Sequence, residues 1–461
     1  MKNKILFNYE TINSFSRLSG DYNPLHSRHS NLEYPVIHGM LIVLKAIENI
    51  DKKSNAIASI RVSFENFLYL NQIITFKYSY KNKKFLQIEG YSKKIKIVKI
   101  YIEFFERKLK NKKKCFLNKI PPKSKINTFN HLNNNSNKIK LYASEKLLKN
   151  IFPKLNIKLN SNLISILLSL TRIVGMKLPG KYSIFSSFNI SLFNEINLDN
   201  SLNFKLNEYD PRWGYLIIDF YNKFCSGEIR AFERPKPTFQ PSYKDIKKKL
   251  KKLNFRNKKA LVIGGSNGIG EVCVKILSYY GAKVTFTYFK DQKNSKCIKN
   301  DCQNKYLKFI KFDANNFNEK KLVQLINKEK FDQIYYFATP KIFNEQSDQI
   351  NVDILNKFFK FYVLSAINLL NLIDDKTSKK INFLLASTVV TDQKTYDNNL
   401  KEYTLIKKFS EQIFNLNIFQ NIKVNIFKFN RVKTNQTISI HKLSGYHDIV
   451  IETNKAISLM K

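Results

Sequence analysis

The sequence predicts a multidomain chain, α+β in its first half and α/β in its second. A sheet wrapped around a helix comes first, a second copy of it follows, and a doubly wound parallel sheet ends the chain. Three observations predict this. Met40 to Ile50 carries apolar residues at helical spacing and is followed by segments that alternate in strand fashion. The same order of helix and strands returns after Ser144. Beyond Lys252, strand-like and helical stretches alternate one for one, as parallel strands joined by crossover helices do.

In the first part the strands are expected at Ile60 to Phe67, Ile73 to Tyr80, Phe85 to Tyr91 and Ile95 to Phe105. From Lys108 to Asn137 the chain turns polar, with Pro121-Pro122 and the Asn-rich stretch HLNNNSN, which marks a linker. The second part starts with an apolar helical segment, Leu163 to Val174. Strand-like runs follow at Ser183 to Leu192, Leu202 to Leu206, Tyr215 to Tyr221 and Glu228 to Phe232. Pro235 to Pro241 and a lysine run ending near Lys252 form a second linker. Buried strands are then expected at Ala260 to Ile263, Lys283 to Tyr288, Lys308 to Phe312, Gln333 to Phe337, Ile381 to Ser387 and Val424 to Phe429. The expected domains are residues 1–120, 138–240 and 256–461.

With 461 residues, 43% of them hydrophobic, the chain has ample apolar material for several cores and is not dominated by disorder. Its net charge of +43 raises the question of nucleic acid. The lysines, however, are spread along the whole chain together with Asn and Ile rather than gathered in one patch, so nucleic acid is not the expected partner. A basic surface favours smaller anionic partners: nucleotides, coenzyme A phosphates or an acidic carrier protein. The five cysteines show no metal-ligand spacing, and no metal site is expected. The N-terminus lacks an apolar leader, and the longest apolar run, Leu163 to Leu170, is far too short to span a membrane. A soluble, cytoplasmic protein is the expectation.

The strand Ala260-Leu261-Val262-Ile263 runs directly into Gly264-Gly265-Ser266-Asn267-Gly268-Ile269-Gly270 and then a helical stretch. That is the setting a dinucleotide turn requires. Gly264 permits the tight turn, Gly268 lets backbone approach a pyrophosphate, and Gly270 lets the helix pack on the sheet. The second strand ends at Tyr288, Phe289 and Lys290, with no carboxylate to repel a 2′-phosphate and a lysine to pair with it, so NADP(H) is the expected cofactor. From about Lys258 to Thr434 the chain resembles the short-chain dehydrogenase/reductases. The resemblance rests on this turn, on Asp313 after the third strand, on Ser387 at the end of FLLAS, and on Tyr403-Thr404-Leu405-Ile406-Lys407 as YxxxK. It implies that Gly264, Ser266, Asn267, Gly268, Ile269, Gly270, Lys290, Asp313, Ala338 and Thr434 contact the cofactor. It also implies that Ser387, Tyr403 and Lys407 carry the chemistry, with Lys407 favouring the phenolate. In so lysine-rich a chain a lone Tyr-Lys pair at this spacing also arises by chance. Departures are plain. Ile263 replaces the family's Thr, the Asn-Ala-Gly stretch reads Phe337-Ala338-Thr339-Pro340, and Lys360 or Phe361 stands where a helical Asn belongs.

Near the N-terminus, Ser19-Gly20-Asp21-Tyr22-Asn23-Pro24-Leu25-His26 sets a carboxylate and an imidazole five residues apart in a loop bounded by Gly and Pro. Together such groups can remove and return protons, as reversible hydration of an enoyl thioester requires. Taken alone, Asp-x-Asn-Pro is also an ordinary turn beside a surface histidine. Further on, Pro35-Val36-Ile37-His38-Gly39-Met40 opens a helix whose free N–H groups could polarise a carbonyl. Over about residues 5–107 this resembles the MaoC-like dehydratases of the hot-dog fold, whose pattern is SGDxNPxH followed by HGM. The resemblance implies Asp21 and His26 as the catalytic pair, Asn23 as the residue that orients them, and Gly39 as an oxyanion donor. His38 is expected only to start the helix, and His29, His131, His441 and His447 are given no role. The segment Gly175 to Gly180 resembles the turn after a hot-dog helix, so the middle domain would be a non-catalytic second copy forming one wall of an acyl tunnel.

Together these readings describe a doubled hot-dog fold followed by a Rossmann-type domain. The expected activity is NADPH-dependent reduction of a 3-ketoacyl thioester and dehydration of the product, on coenzyme A or an acyl carrier protein, in a possible homo-oligomer. Degradation in the reverse direction, and a nucleotide-binding scaffold without reductase activity, are the alternatives.

Overall fold

The computed structural model describes residues 4–27, 35–50, 57–105, 114–129, 137–193, 199–340, 342, 350–393, 400–435 and 445–461. The chain forms two compact units, one over residues 1–236 and the other over most of 237–461, each described here by itself.

The first unit is built on a ten-stranded antiparallel sheet. Its strands are β1 (Lys4–Leu6), β2 (Ile57–Phe64), β3 (Ile73–Tyr80), β4 (Phe85–Ser92), β5 (Ile95–Phe104), β6 (Asn137–Lys140), β7 (Ser183–Leu192), β8 (Ser201–Asp210), β9 (Tyr215–Tyr221) and β10 (Cys225–Glu233). They lie in the order β1-β3-β4-β5-β2-β7-β10-β9-β8-β6. Read outward from the central pair β2 and β7, the two halves have the same order, strand for strand. The segments expected as separate domains therefore share one sheet, because β2 and β7 hydrogen-bond directly, with Ile60 opposite Ile190 and Val62 opposite Phe188. All four of these side chains are buried.

One face of the sheet covers two helices, Gly39–Glu48 and Ser161–Arg172. Both are buried nearly all round, as an apolar helix at the centre of a core must be. The strands show the matching alternation; in β4 every second residue is buried. The helix Ser161–Arg172 runs on into a π-helical turn, Ile173–Lys177, which loosens the backbone at Gly175. A third helix, Tyr9–Ser19, was not anticipated from the sequence. Asn8 caps it by accepting the Thr11 N–H, and Ile12, Phe15 and Leu18 bury its inner side.

The second unit contains a six-stranded parallel sheet: β11 (Lys259–Ile263), β12 (Lys283–Tyr288), β13 (Lys308–Lys311), β14 (Gln333–Tyr336), β15 (Ile381–Thr388) and β16 (Ile422–Phe429). The order β13-β12-β11-β14-β15-β16 reverses direction between β11 and β14, where a doubly wound sheet opens a crevice for a ligand. Neighbouring residues of β11 enter opposite cores, Ala260 and Val262 on one face and Leu261 and Ile263 on the other. That is why the strand reads as an unbroken apolar run. Each strand expected in this half is present to within two residues of the expected bounds. No helix among the described residues is long and apolar enough to cross a membrane.

Candidate active sites

The loop from Gly20 to His26 is fixed residue by residue. Gly20, at φ 76°, ends the helix Tyr9–Ser19 in the left-handed conformation. Asn23 accepts the Leu25 N–H and so caps the short turn Pro24–His26. Its amide group is turned inward, donating to the carbonyls of Gly175 (3.1 Å) and Gly180 (3.0 Å) and to Ser183 Oγ (3.1 Å). Asn23 thus ties the loop to the second half of the unit, and its own polar atoms are spent inside the protein.

Asp21 is buried, with Oδ2 accepting from Thr171 Oγ1 (2.7 Å) and Oδ1 from the Asn23 N–H (3.1 Å). His26 Nε2 stands 3.9 Å from Asp21 Oδ2. Its Nδ1 lies 2.7 Å from the Val36 carbonyl oxygen. A carbonyl only accepts, so Nδ1 carries the proton and Nε2 presents its lone pair on the Asp21 side. Burial pushes the Asp21 carboxyl up, against the pull of the His26 charge and the Thr171 and Asn23 hydrogen bonds. Burial also lowers His26, with Asp21 and the Val36 carbonyl opposing it. Both directions favour an uncharged pair, a carboxylic acid beside a neutral imidazole.

His38 does more than begin a helix. Its ring stacks on His26 at 3.6 Å between centroids, and its Nε2 lies 3.3 Å from both the Asp21 carbonyl oxygen and Ser16 Oγ. Since His38 caps the helix Gly39–Glu48 without a side-chain hydrogen bond, this stacking sets the N-terminus of that helix beside the pair. Gly39 is the first residue there, and a Cβ on it would meet the Phe64 ring at 2.7 Å. Asp21, His26 and His38 bring potential metal-ligand atoms within 4.8 Å of one another. The two stacked rings, however, hold their in-plane lone pairs side by side instead of aiming them at one point, which is wrong for a shared ion. A cleft of about 520 Å³ opens against His26, lined also by Arg17, Tyr22, Pro121 and Lys123. Its size falls in the range of small-molecule sites.

In the second unit the glycine turn has the close contacts its composition requires. Gly264 adopts φ 79° and donates its N–H to Thr287 Oγ1 (2.9 Å). A Cβ on Gly270 would lie 2.2 Å from the Gly264 carbonyl oxygen. Gly268 adopts φ 59°, and a Cβ on it would touch Thr434 at 3.5 Å. The helix Gly268–Tyr279 starts here with no side-chain cap on its N–H groups, Asn267 being its N-cap residue. Ser266 is buried, its carbonyl accepting from Asn294 (2.5 Å), and Ile269 packs against the apolar core. Ala338 follows β14, with its N–H close to Gly264. Asp313 lies beyond β13 and accepts the Asn315 N–H (3.0 Å). Lys290 holds its ammonium 5.3 Å from the Phe289 ring centre.

Tyr403, Lys407 and Glu411 line one side of the helix Lys401–Phe414. Here the structure departs from the expectation. The Ser387 hydroxyl donates to Glu411, which also accepts from Thr391 Oγ1 (2.9 Å) and pairs with Lys428 (3.1 Å). The hydroxyl that acts on the Tyr403 phenol is that of Thr388, the next residue along β15. Successive strand residues point to opposite faces, so a shift of one residue changes the partner entirely. Nor does Lys407 lower the Tyr403 pKa. Burial and the charge of Glu411 hold the phenol well above its ordinary value. The Lys407 ammonium donates instead to the Ala386 carbonyl (2.6 Å) and lies 3.7 Å from the Tyr362 ring centre. Its burial brings it down to about 7. Where the family Asn was sought, the chain forms a π-helical turn, Lys360–Leu364, and the Phe361 carbonyl accepts from Tyr336 (2.8 Å).

No family model matches the chain, and no curated protein matches it. Among solved structures it is similar to BdcA in complex with NADPH, at 17% identity over 45% of this chain and 88% of that one, TM-score 0.38. A short-chain dehydrogenase/reductase from Serratia marcescens BCRC 10948 is similar at 17% identity over 44% and 91%, TM-score 0.40. A short-chain dehydrogenase from Burkholderia cenocepacia J2315 in complex with NADP is similar at 16% identity over 45% and 91%, TM-score 0.38.

Four residues at the first site escaped sequence reasoning: Thr171, Gly175, His38 and Arg234. Thr171 and Gly175 reach Asp21 across some 150 positions of chain, and no local pattern announces such a contact. His38 had a signal, since it stands inside His38-Gly39-Met40. His29, His131 and His441 lie outside the described residues.

Proposed function

We propose that the first unit interconverts a 3-hydroxyacyl thioester and its enoyl thioester, and that the second reduces the matching 3-ketoacyl thioester with NADPH. The observation that carries the first half is the Asp21–His26 arrangement. A neutral imidazole, its Nδ1 anchored on the Val36 carbonyl, faces a buried carboxyl whose pKa is raised. In the dehydrating direction His26 Nε2 takes the proton from C2 while Asp21 gives its proton to the departing C3 hydroxyl. Water leaves, and the proton on His26 restores Asp21. The negative charge growing on the thioester oxygen is met by N–H groups at the start of the helix Gly39–Glu48. The two-fold order of helix and strands supports a doubled hot-dog fold like that of the MaoC-like dehydratases.

The glycine turn fits a pyrophosphate, since Gly268, in the left-handed conformation, opens a helix N-terminus that carries no side-chain cap. Ala338 and Thr434 flank it, Asp313 and Lys290 stand at the ends of β13 and β12, and Lys290 favours the 2′-phosphate of NADPH. NADPH supplies a hydride to the ketone carbon when bound. Tyr403, with the Thr388 hydroxyl acting on its phenol, is the group on this chain that would give the ketone oxygen its proton. A second reading, nucleotide binding without reduction, is favoured by the position of Lys407, whose ammonium rests on Tyr362 and Ala386.

The full chain, given a 3-ketoacyl-CoA or its carrier-protein form with NADPH, separates these readings when nicotinamide absorbance and enoyl product are followed together. Asp21→Asn is expected to abolish enoyl formation and Tyr403→Phe to abolish NADPH oxidation. NADPH that binds but is never consumed would leave the nucleotide-binding reading. Enoyl formation unaffected by Asp21→Asn would remove the dehydratase. Running the assay from the enoyl side with NADP fixes the preferred direction.

A further inference from the structure

Arg234 follows the last strand of the first unit, and its backbone N–H donates to the Tyr182 carbonyl (2.6 Å). The segment it is fastened to, Gly180 to Ser183, also holds Asn23 through the Gly180 carbonyl and Ser183 Oγ. The arginine is therefore anchored on the same short stretch of backbone as the Asp21–Asn23 loop. Among the described residues its guanidinium makes one hydrogen bond, a 3.3 Å contact from Nη2 to the Lys181 carbonyl, and its buried Nε has no partner. No carboxylate among the described residues pairs with it, and burial brings it down to about 10. It lies close enough to His26 for its charge to disfavour the imidazolium. A half-buried guanidinium whose Nε has neither water nor protein to donate to carries a desolvation cost that a bound anion would offset.

Arg172, more deeply buried, also leaves its Nε without a partner, but the rest of its guanidinium is held inside the protein. Its guanidinium donates to the Lys140 carbonyl and lies 5.0 Å from the Tyr142 ring centre, so it serves as an internal pin. The remaining charge around the pair points the same way as Arg234. Among the described residues, the cleft that reaches His26 is lined by Arg17 and Lys123 and by no acidic residue.

We propose that Arg234 binds a fixed anionic oxygen group, a phosphate or a carboxylate, of the thioester handled at the Asp21–His26 site. This rests on the dehydratase reading for its substrate and adds the requirement of a permanent negative charge. A guanidinium suits either anion because two of its N–H groups match two oxygens at once. The phosphate would come from the pantetheine arm of the carrier, the carboxylate from the acyl chain.

Three probes distinguish the sources on the full chain: crotonyl-4′-phosphopantetheine, crotonyl-pantetheine without the phosphate, and an enoyl-pantetheine whose acyl chain ends in a carboxylate. Arg234→Gln is expected to raise KM roughly tenfold to a hundredfold for the probe bearing the recognised anion, the range for loss of a charged hydrogen bond. KM for uncharged crotonyl-pantetheine should change far less than KM for the charged probe, and Arg234→Lys should restore part of the loss. A selective effect on the first probe assigns the phosphate, and on the third the carboxylate. Equal effects on all three, or none on any, would overturn the proposal. Titration calorimetry with the same probes keeps the two readings apart. Tighter binding of a charged probe, lost in Arg234→Gln but without turnover, would sink the dehydratase and leave the anion site standing.

Discussion

Replacing Gly175 by alanine places one methyl group against the carboxylate of Asp21. A Cβ built on Gly175 lies 2.1 Å from Asp21 Oδ1 and 2.5 Å from its Cγ. Carbon–oxygen contacts settle near about 3.3 Å, so Asp21 or its loop must retreat by roughly 1 Å. Gly175 does not need the left-handed conformation, so the backbone itself accepts alanine and the collision with Asp21 is the whole effect. A displacement of that size at a proton-transfer group costs about 100-fold in rate. Overpacking of this kind costs about 1–3 kcal/mol of stability, too little to unfold a unit with so extensive a core. Hydration of an enoyl thioester by Gly175→Ala, followed by loss of enoyl absorbance, should show kcat down by that factor with thermal unfolding still cooperative. A folded variant with wild-type kcat would show that Asp21 is not held where the reaction needs it, and the argument from this contact would fail.

Three further outcomes are expected. Burial lowers the His26 pKa, so its basic form persists below 6.5; the acid limb of the pH profile for hydration should fall on the acid side of that value and vanish in His26→Gln, and a limb above it would contradict the buried base. For NADPH-dependent reduction, Thr388→Val should lower kcat about 100-fold or more while Ser387→Ala has little effect, and the opposite order would return the proton relay to Ser387. Lys407 is held at about 7 when folded, against 10.5 for the free side chain. A lowered amine pKa opposes folding in full below pH 7, less as the folded group and then the unfolded one lose their protons, and not at all above 10.5. Lys407→Met should therefore raise the melting temperature below pH 7, with the gain shrinking toward pH 10.5; a gain independent of pH would place the ammonium in solvent.

Much of this molecule was legible because the signals were local. The alternation of β4 and the unbroken apolar run of β11 each record what the two faces of a strand touch, and that is a property of neighbouring residues. The glycine turn was legible for the same reason: Gly264 needs a positive φ and Gly270 touches the Gly264 carbonyl, six residues away. The helix Tyr9–Ser19 was missed although Asn8 caps it and Ile12, Phe15 and Leu18 face inward, because its apolar positions are sparse among polar ones.

The sequence by itself singled out the candidates for acid–base chemistry, Asp21 and His26 in one loop and Tyr403 on one helix, and a turn whose glycines suit a dinucleotide. It could not determine their partners. Hydrogen bonds form between whatever the fold brings within 3 Å or so, and those groups came from strands and turns far away in the chain. Thr171 and Gly175 came to Asp21, His38 to His26, and Thr388 displaced Ser387 beside Tyr403. The tertiary structure also decided that the first two segments share one sheet, because β2 finds its missing hydrogen-bond partners only on β7.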